Sequence, residues 1–382
     1  MYNKLIYFDN AATGFPKPEC VRKAAFRAFE ECGGNPGRSG HILSANASKA
    51  VYECREEVSK LLNFNYPERV VFTMNATQAL NIAIKGLAER NSHIIISDLE
   101  HNSVYRPVYS LSTDNDLNIE FSTFKASLFS DKAVINSFKQ SIRPNTKMAV
   151  VTAASNICGR ILPLKEISRM CKEKGIILIV DASQYLGEEE FDYEIIKPDV
   201  LCCAGHKGLY GPTGTGFAVF SPDITPRPII HGGNGLVSEL ASMGDDLPEM
   251  LEAGTLNMVG ICGLTEGIRF VRNYGIDKIK SNCSDIERYV SGCLSELGAT
   301  IYSEYNRKTP VILFNIPGIS SDYVSSYLSD NGICIRSGLH CAALAHKALG
   351  TGDEGAIRVS LGYNNTFSEA KKFIQVIRNI TK

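Results

Sequence analysis

Apolar and polar positions alternate in blocks along most of this chain. Short apolar runs at 70–73, 93–97, 148–152, 176–180, 200–203 and 216–220 have the length and β-branched content of buried strands. Between several of them lie segments with apolar residues at helical spacing. In 48–62 the stripe is Val51, Cys54, Val58, Leu61 and Leu62, and helical segments follow at 77–87, 131–141 and 163–174. Strands and helices therefore interleave from about residue 48 to 220. That pattern predicts an α/β fold with a mostly parallel mixed sheet flanked by helices.

Past about residue 256 the texture changes. Helices are expected at 263–274, 279–297, 321–331 and 367–380, with strands at 311–315 and, briefly, 334–336. This reads as a smaller α+β C-terminal domain. The expected organisation is an N-terminal segment, 1–14, packing with the small domain, then a large domain, 15–255, and the small domain, 256–382. The chain contains no internal repeat, low-complexity tract or long polar linker.

Composition narrows the function classes. The 382 residues carry a net charge of −1 with no long basic run, which gives nucleic acid or a membrane surface no electrostatic hold. Apolar runs such as 94–96 and 176–180 are far too short to span a bilayer. The first residues carry no apolar signal segment, so the expected location is the cytoplasm. Twelve cysteines are many, but none forms a Cys-x-x-Cys pair. Cys54, Cys171, Cys202 and Cys203 sit in apolar surroundings and read as small buried hydrophobes. The seven histidines are scattered and make no convincing metal set.

Candidate chemistry gathers at predicted strand ends, where parallel sheets place ligands. Asp181 ends the run 176–180. Lys207 lies in Gly205-His206-Lys207-Gly208, at the head of a glycine-rich stretch to Gly216 that is neither a Walker A loop nor a complete Gly-x-Gly-x-x-Gly motif. A loop lysine and a strand-end carboxylate are two halves of a pyridoxal 5′-phosphate (PLP) site: the amine forms a Schiff base and the carboxylate keeps the pyridine nitrogen protonated. Gln184 shares a helical face with Asp181. Asn75-Ala76-Thr77 opens a helix whose N–H groups suit an anion. His101 and Asn156 follow two further strands. Arg358 can pair bidentately with a carboxylate, and Arg38 and His41 lie in a polar loop able to line a pocket. Cys341, beside His340 and five residues after Arg336, lies in a hydrophilic loop that favours exposure and reactivity. Each residue taken singly also has a plainer reading: a helix cap for Asp181 or Thr77, a solvated lysine, a polar loop histidine, a surface ion pair for Arg358, a buried cysteine.

As an ordered set the motifs are far more specific. Tyr7-Phe-Asp-Asn-Ala-Ala12, Glu100-His101, Ser155-Asn156, Val180-Asp-Ala-Ser-Gln184, Gly205-His-Lys207, Glu252-Ala-Gly-Thr255, Arg336-Ser-Gly-Leu-His-Cys341 and Arg358 together resemble the class V aminotransferase family of fold-type I PLP enzymes. Within it they are most similar to the group II, SufS/CsdA-like, cysteine desulfurases. The resemblance implies that Lys207 carries the cofactor and shuttles protons. Asp181 would pair with the pyridine nitrogen, Gln184 with the phenolic oxygen, and His101 would stack on the ring. Thr77 and His206, with the Ala76 position, would hold phosphate, and Thr255 would reach the phosphate of a neighbouring subunit in a homodimer. Asn156 and Arg358 would bind the substrate carboxylate, with Arg38, His41 and Arg336 nearby. Cys341 would take sulfur from L-cysteine as a persulfide, leaving L-alanine, and pass it to an acceptor protein of the SufE or SufU kind. Ala76 and Ala204 stand where the family commonly has hydroxyl residues, which marks a divergent branch. Selenocysteine lysis, another class V lyase or aminotransferase reaction, and a non-catalytic PLP-binding sulfur relay are the competing readings.

Overall fold

The computed structural model describes residues 5–37, 40–126, 129–233, 239, 241–303 and 307–381. Its largest element is a seven-stranded sheet in the order Val70–Thr73, Gly216–Phe220, Val200–Ala204, Ile177–Asp181, Thr146–Thr152, His93–Ser97, Glu120–Phe124. Gly216–Phe220 is antiparallel to both its neighbours, and every other pairing is parallel. Six strands therefore run the same way and end on one edge. The fold class read from the alternating pattern is the one observed.

The apolar runs at the centre of the sheet are buried on both faces because successive side chains point to opposite sides. Phe72, Val151, Leu178, Val180 and Leu201 join a core beneath the helices Ile42–Leu62 and Leu164–Lys174. Val71, Val150, Ile179, Val200 and Cys202 join another core, shared with the helices Ala76–Gly86 and Asn102–Ser112. The strand Glu120–Phe124 buries only Phe124, as its place on the sheet edge dictates. Its polar alternation, Glu120-Phe-Ser-Thr-Phe124, hid it from a search for apolar runs.

A four-stranded antiparallel sheet, ordered Arg336–Gly338, Ala356–Ser360, Val311–Asn315, Thr300–Ile301, lies over a third core that includes Phe314, Val359 and Phe373. The single strand expected at 334–336 is in fact two. Ile333–Cys334 pairs in parallel with Ile6–Tyr7, and Arg336–Gly338 turns away to pair with Ala356–Ser360. Asp9 then bridges to Ser360. The N-terminal residues are thereby stitched to the C-terminal part of the chain and delivered to the carboxyl edge of the large sheet. The helix Met258–Tyr274 starts five residues before the apolar spacing predicts, because the Asn257 side chain caps it by accepting from the Gly260 N–H at 3.0 Å. Among the described residues no helix is long and apolar enough to cross a membrane, and no three His, Cys, Asp or Glu side chains gather to hold a metal.

Candidate active site

At the carboxyl edge lies a cavity of about 210 Å³. Both sheets contribute to it. Asn75, Ala76, Thr77, His101, Asn156, Asp181, Gln184, Ala204, His206 and Lys207 come from the ends of the large sheet's strands, and Arg336, His340 and Arg358 from the four-stranded sheet. Residues spread from Asn75 to Lys207 meet because parallel strands all deliver their carboxyl ends to one edge, and the four-stranded sheet and the loop after Arg336–Gly338 bring Arg336, His340 and Arg358 to that edge.

Asp181 is the last residue of its strand and is buried; its Oδ1 accepts from the Ser183 N–H at 3.0 Å. Lys207 leaves the next strand and projects into the same cavity. Burial pulls its ammonium below the usual lysine range, Asp181 opposes that, and Arg358 and Arg336 add to it. Two close approaches fix the lysine loop. A Cβ on Gly187, where φ is +90°, would land on the Gly208 carbonyl, and one on Gly14 would lie 2.6 Å from the Lys207 carbonyl oxygen.

His101 caps the helix Asn102–Ser112, its Nδ1 accepting from the Ser103 N–H at 3.0 Å. Burial, then the charge of Lys207, pulls its pKa down to about 4. The ring is thus neutral near pH 7, and with Nδ1 an acceptor its proton sits on Nε2, free to donate into the cavity. Glu100, next to it, is buried; it accepts from the Thr152 N–H at 2.8 Å and from the Ser97 hydroxyl. This ties the ends of two strands together beneath His101. Burial pushes the Glu100 carboxyl up to about 8.

Ala76 and Thr77 form the first turn of their helix, whose cap is Asn75. His206 is held near 4 by burial and by Lys207, and its buried Nδ1 has no hydrogen-bond partner among the described residues. Gln184 donates from Nε2 to the Ala11 carbonyl at 2.8 Å. Asn156 donates from Nδ2 to the His340 carbonyl at 2.9 Å, and its buried Oδ1 is unpartnered among the described residues. Arg358 is almost fully buried. It donates to Asp9 at 2.6 Å and to the Asn156 carbonyl at 3.0 Å, while its Nε has no partner among the described residues. Arg336 stands directly across the antiparallel pair from Arg358. Like charges so placed repel unless an anion lies between them.

Asp9 is the functional neighbour that residue-by-residue reading missed. It belongs to the Tyr7–Ala12 motif, but nothing in a linear sequence joins it to an arginine 349 positions away. Replacing it by asparagine removes the partner of a buried guanidinium. Asp9→Asn is expected to lower stability by about 3 kcal/mol, at the lower bound for breaking a buried pair. A urea midpoint unchanged from wild type would contradict this.

Cys341 is exposed and does not itself line the cavity, although Arg336 and His340 of its loop do. His340 and Cys341 have φ of 49° and 55°, two consecutive non-glycine residues in the left-handed region, each costing about 1–2 kcal/mol. Three bonds hold them there: Asn156 to the His340 carbonyl, the Asn102 N–H to the Cys341 carbonyl at 2.7 Å, and the Ala342 N–H to the Leu339 carbonyl at 2.8 Å. The Asn102 bond sets the cysteine's backbone beside His101.

Two further expected site residues, Thr255 and His41, do not line this cavity. Thr255 is exposed and accepts from Asn35 Nδ2 at 3.3 Å; His41 caps the helix Ile42–Leu62; Arg38 lies outside the described residues.

The histidines give the protein a pH signature. His93, His101, His206 and His346 are pulled to about 4 and His340 to about 2, burial leading in every case. The unfolded chain takes up these protons as pH falls through 6.5 and the folded chain does not, so stability drops on acidification toward pH 4. Glu100 and Glu188, pushed up to about 8 by burial, act in the opposite sense: their contribution is present at low pH and is lost as pH rises toward 8. Five histidines outweigh two carboxyls in acid, and above pH 6.5 the carboxyls lead until Lys17, pulled down to about 8 by burial, begins to release its proton. Urea midpoints measured from pH 4.5 to 8 are expected to peak near pH 6.5; a continuous rise toward pH 4.5 would refute the assignment.

A buried carboxylate, a lysine of lowered basicity, two neutral imidazoles and a helix N-terminus around one cavity suit an aromatic cofactor bearing an anionic group. The buried His206 Nδ1, without a partner among the described residues, and the helix N-terminus at Ala76–Thr77 are the features an anion would satisfy. The fold is that of the fold-type I PLP enzymes. The class-V aminotransferase family model matches residues 6–373, and the chain belongs to that family, whose members use PLP. A protein of Methanothermobacter thermautotrophicus named "Probable cysteine desulfurase" is 31% identical, with 98% of this chain and 94% of that protein aligned. One of Pyrococcus abyssi with the same name is 32% identical over 99% of this chain and 95% of its own length. Among solved structures, the apo cysteine desulfurase of Thermococcus onnurineus superposes with a TM-score of 0.90 at 29% identity, covering 99% of this chain and 95% of that one.

Proposed function

We propose that this protein is a PLP-dependent cysteine desulfurase. The observation that carries the reading is a single cavity built from both sheets, with Lys207 and Asp181 on one side and, on the other, the loop that presents an exposed free cysteine. When bound, PLP supplies an electron sink for bond breaking at the substrate's carbons. In this reading Asp181 keeps the cofactor's ring nitrogen protonated, Gln184 faces its phenolic oxygen, and His206, Thr77 and the Ala76 N–H hold its phosphate. Backbone donors take the place of the hydroxyls absent at Ala76 and Ala204.

Arg358 and Arg336 orient the L-cysteine carboxylate, which relieves the repulsion between the two guanidiniums. Asn156 acts mainly as a tether for the Cys341 loop, and its second Nδ2 proton remains available to substrate. Lys207, as the free amine, would take the Cα proton, and His101 would donate from Nε2. The Cys341 thiolate attacks the substrate sulfur. An S–S bond forms, the C–S bond breaks with its electron pair going to the carbon fragment, and protonation of that fragment gives L-alanine. The balance is L-cysteine plus Cys341 thiol to L-alanine plus Cys341 persulfide.

A homodimer accounts for the residues left outside the cavity. Phe26, Phe29, Ile42 and Tyr52 are exposed on the helices Glu19–Glu31 and Ile42–Leu62, the second of which starts at the His41 cap, and Thr255 is exposed and bonded to Asn35. A second copy covering that apolar face would bring Thr255 and His41 to the neighbouring copy's site. The exposed loop suits hand-over of persulfide sulfur to an acceptor protein. The testing experiment incubates purified protein with PLP, reductant and L-cysteine and assays sulfide and alanine. Equal amounts of both support the reading; alanine from L-selenocysteine alone would replace it with selenocysteine lysis, and pyruvate in place of alanine with β-elimination.

A further inference from the structure

Behind the Cys341 loop lies a buried chain of side chains that the proposed reaction does not use. His340 Nε2 is 3.3 Å from the Arg336 carbonyl oxygen, His340 Nδ1 is 3.2 Å from His346 Nε2, and His346 Nδ1 is 2.6 Å from Thr351 Oγ1. All three side chains belong to buried residues, and the two imidazoles lie nearly parallel, 14° apart. The direction of every bond follows from one constraint. A carbonyl only accepts, so His340 carries its proton on Nε2 and offers a lone pair at Nδ1. His346 must then donate from Nε2 and accept at Nδ1, and the Thr351 hydroxyl supplies the last proton, its more distant alternative being the His346 carbonyl at 3.2 Å. A second proton on either ring would break this order, and burial beside Arg358 disfavours it.

The chain runs from the strand Arg336–Gly338, before Cys341, to Thr351, just past the helix Ala343–Leu349 that follows it. It therefore clasps both flanks of the two left-handed residues. We propose that His346 and Thr351, acting through His340, are positioning residues that hold the Cys341 loop in the conformation that presents its thiol. The inference rests on the desulfurase reading for its consequence in catalysis, and on geometry alone for its consequence in loop order.

The test uses PLP-reconstituted protein in four forms: wild type, His346→Leu, Thr351→Val and Thr351→Ser. Deuterium exchange is followed in peptides covering 336–342, with the strand Ile177–Asp181 as internal control, alongside single-turnover persulfide formation on Cys341 read by mass spectrometry. In His346→Leu, exchange at 336–342 is expected to rise about tenfold with the control strand unchanged. Persulfide formation is expected to fall about tenfold or more, while cofactor absorbance and its response to L-cysteine persist. Thr351→Val should show the same changes more weakly, and Thr351→Ser, which restores the hydroxyl, should return to wild type. Unchanged exchange at 336–342 in both His346→Leu and Thr351→Val would overturn the proposal, as would equal loosening of the control strand. If wild type forms no persulfide, the desulfurase reading fails, and the exchange measurements still decide the positioning role. Should His346→Leu not fold, the two threonine variants carry the comparison.

Discussion

Lys207→Ala is expected to abolish turnover, by about four orders of magnitude or more, since one amine serves both as covalent anchor and as proton carrier. The structure makes this residue hard to replace. Its amine enters a cavity where burial and two arginines lower its basicity and a single carboxylate, Asp181, raises it. A lysine so placed spends more of its time as the free amine than one in water does, which both of its tasks need. Neither His101 nor His206 can substitute. An imidazole forms no Schiff base, burial pulls both rings to about 4 and so makes them weak bases, and His101 is held by its bond to Ser103 as a donor from Nε2. Borohydride reduction of wild-type holoprotein followed by peptide mapping should leave cofactor mass on Lys207 and on no other lysine. In Lys207→Ala, cofactor should bind without covalent attachment. Appreciable turnover in that variant, or a label on another lysine, would remove Lys207 from both roles.

The second large effect is at Cys341. Cys341→Ala is expected to reduce sulfide release from L-cysteine at least about a hundredfold, with cofactor absorbance kept, since the lost group is the attacking nucleophile itself. Folding stability should change by less than about 0.5 kcal/mol, because the side chain is exposed and alanine meets the same backbone conformation at no greater cost than cysteine. The other cysteines give the comparison its control. Cys54, Cys158, Cys171, Cys202, Cys203 and Cys283 are buried, and the thiols of Cys54 and Cys171 are pushed up to about 12 by burial. Thiolate is the reactive form, so mild alkylation should mark Cys341 first and the buried six not at all. Sulfide release that survives both alkylation and the alanine variant would point to β-elimination, in which no protein thiol takes part.

Two features of the structure deepen this picture. Asp9 and Glu100 are carboxyl groups that hold machinery rather than perform chemistry, one against Arg358 and one beneath His101. His340 and His346 do the same for the nucleophile's loop. Burial sets the protonation of Glu100, His340 and His346, and the predicted stability maximum near pH 6.5 is the global expression of such local choices.

The sequence alone determined a good deal. Continuous apolar runs marked six of the seven strands of the main sheet, because a strand buried on both faces needs apolar side chains on both. Lys207, Asp181, His101, Thr77 and Asn156 were legible as a set because each follows a strand, and parallel strands end on a common edge. Long-range pairing left no such trace. The strand Glu120–Phe124 faces partly outward and has no apolar signature. The residues around Ile335 divide between two sheets, a split decided by partners at Ile6–Tyr7 and Ala356–Ser360 far away in the chain. Arg358 looked equally like a surface ion pair and a substrate clamp, and only the fold buries it against Asp9. The His340–His346–Thr351 chain was invisible for the same reason. Local periodicity reports which face of an element is apolar, whereas the partner of a buried polar group is set by where distant segments cross, and that is decided only when the whole chain has packed.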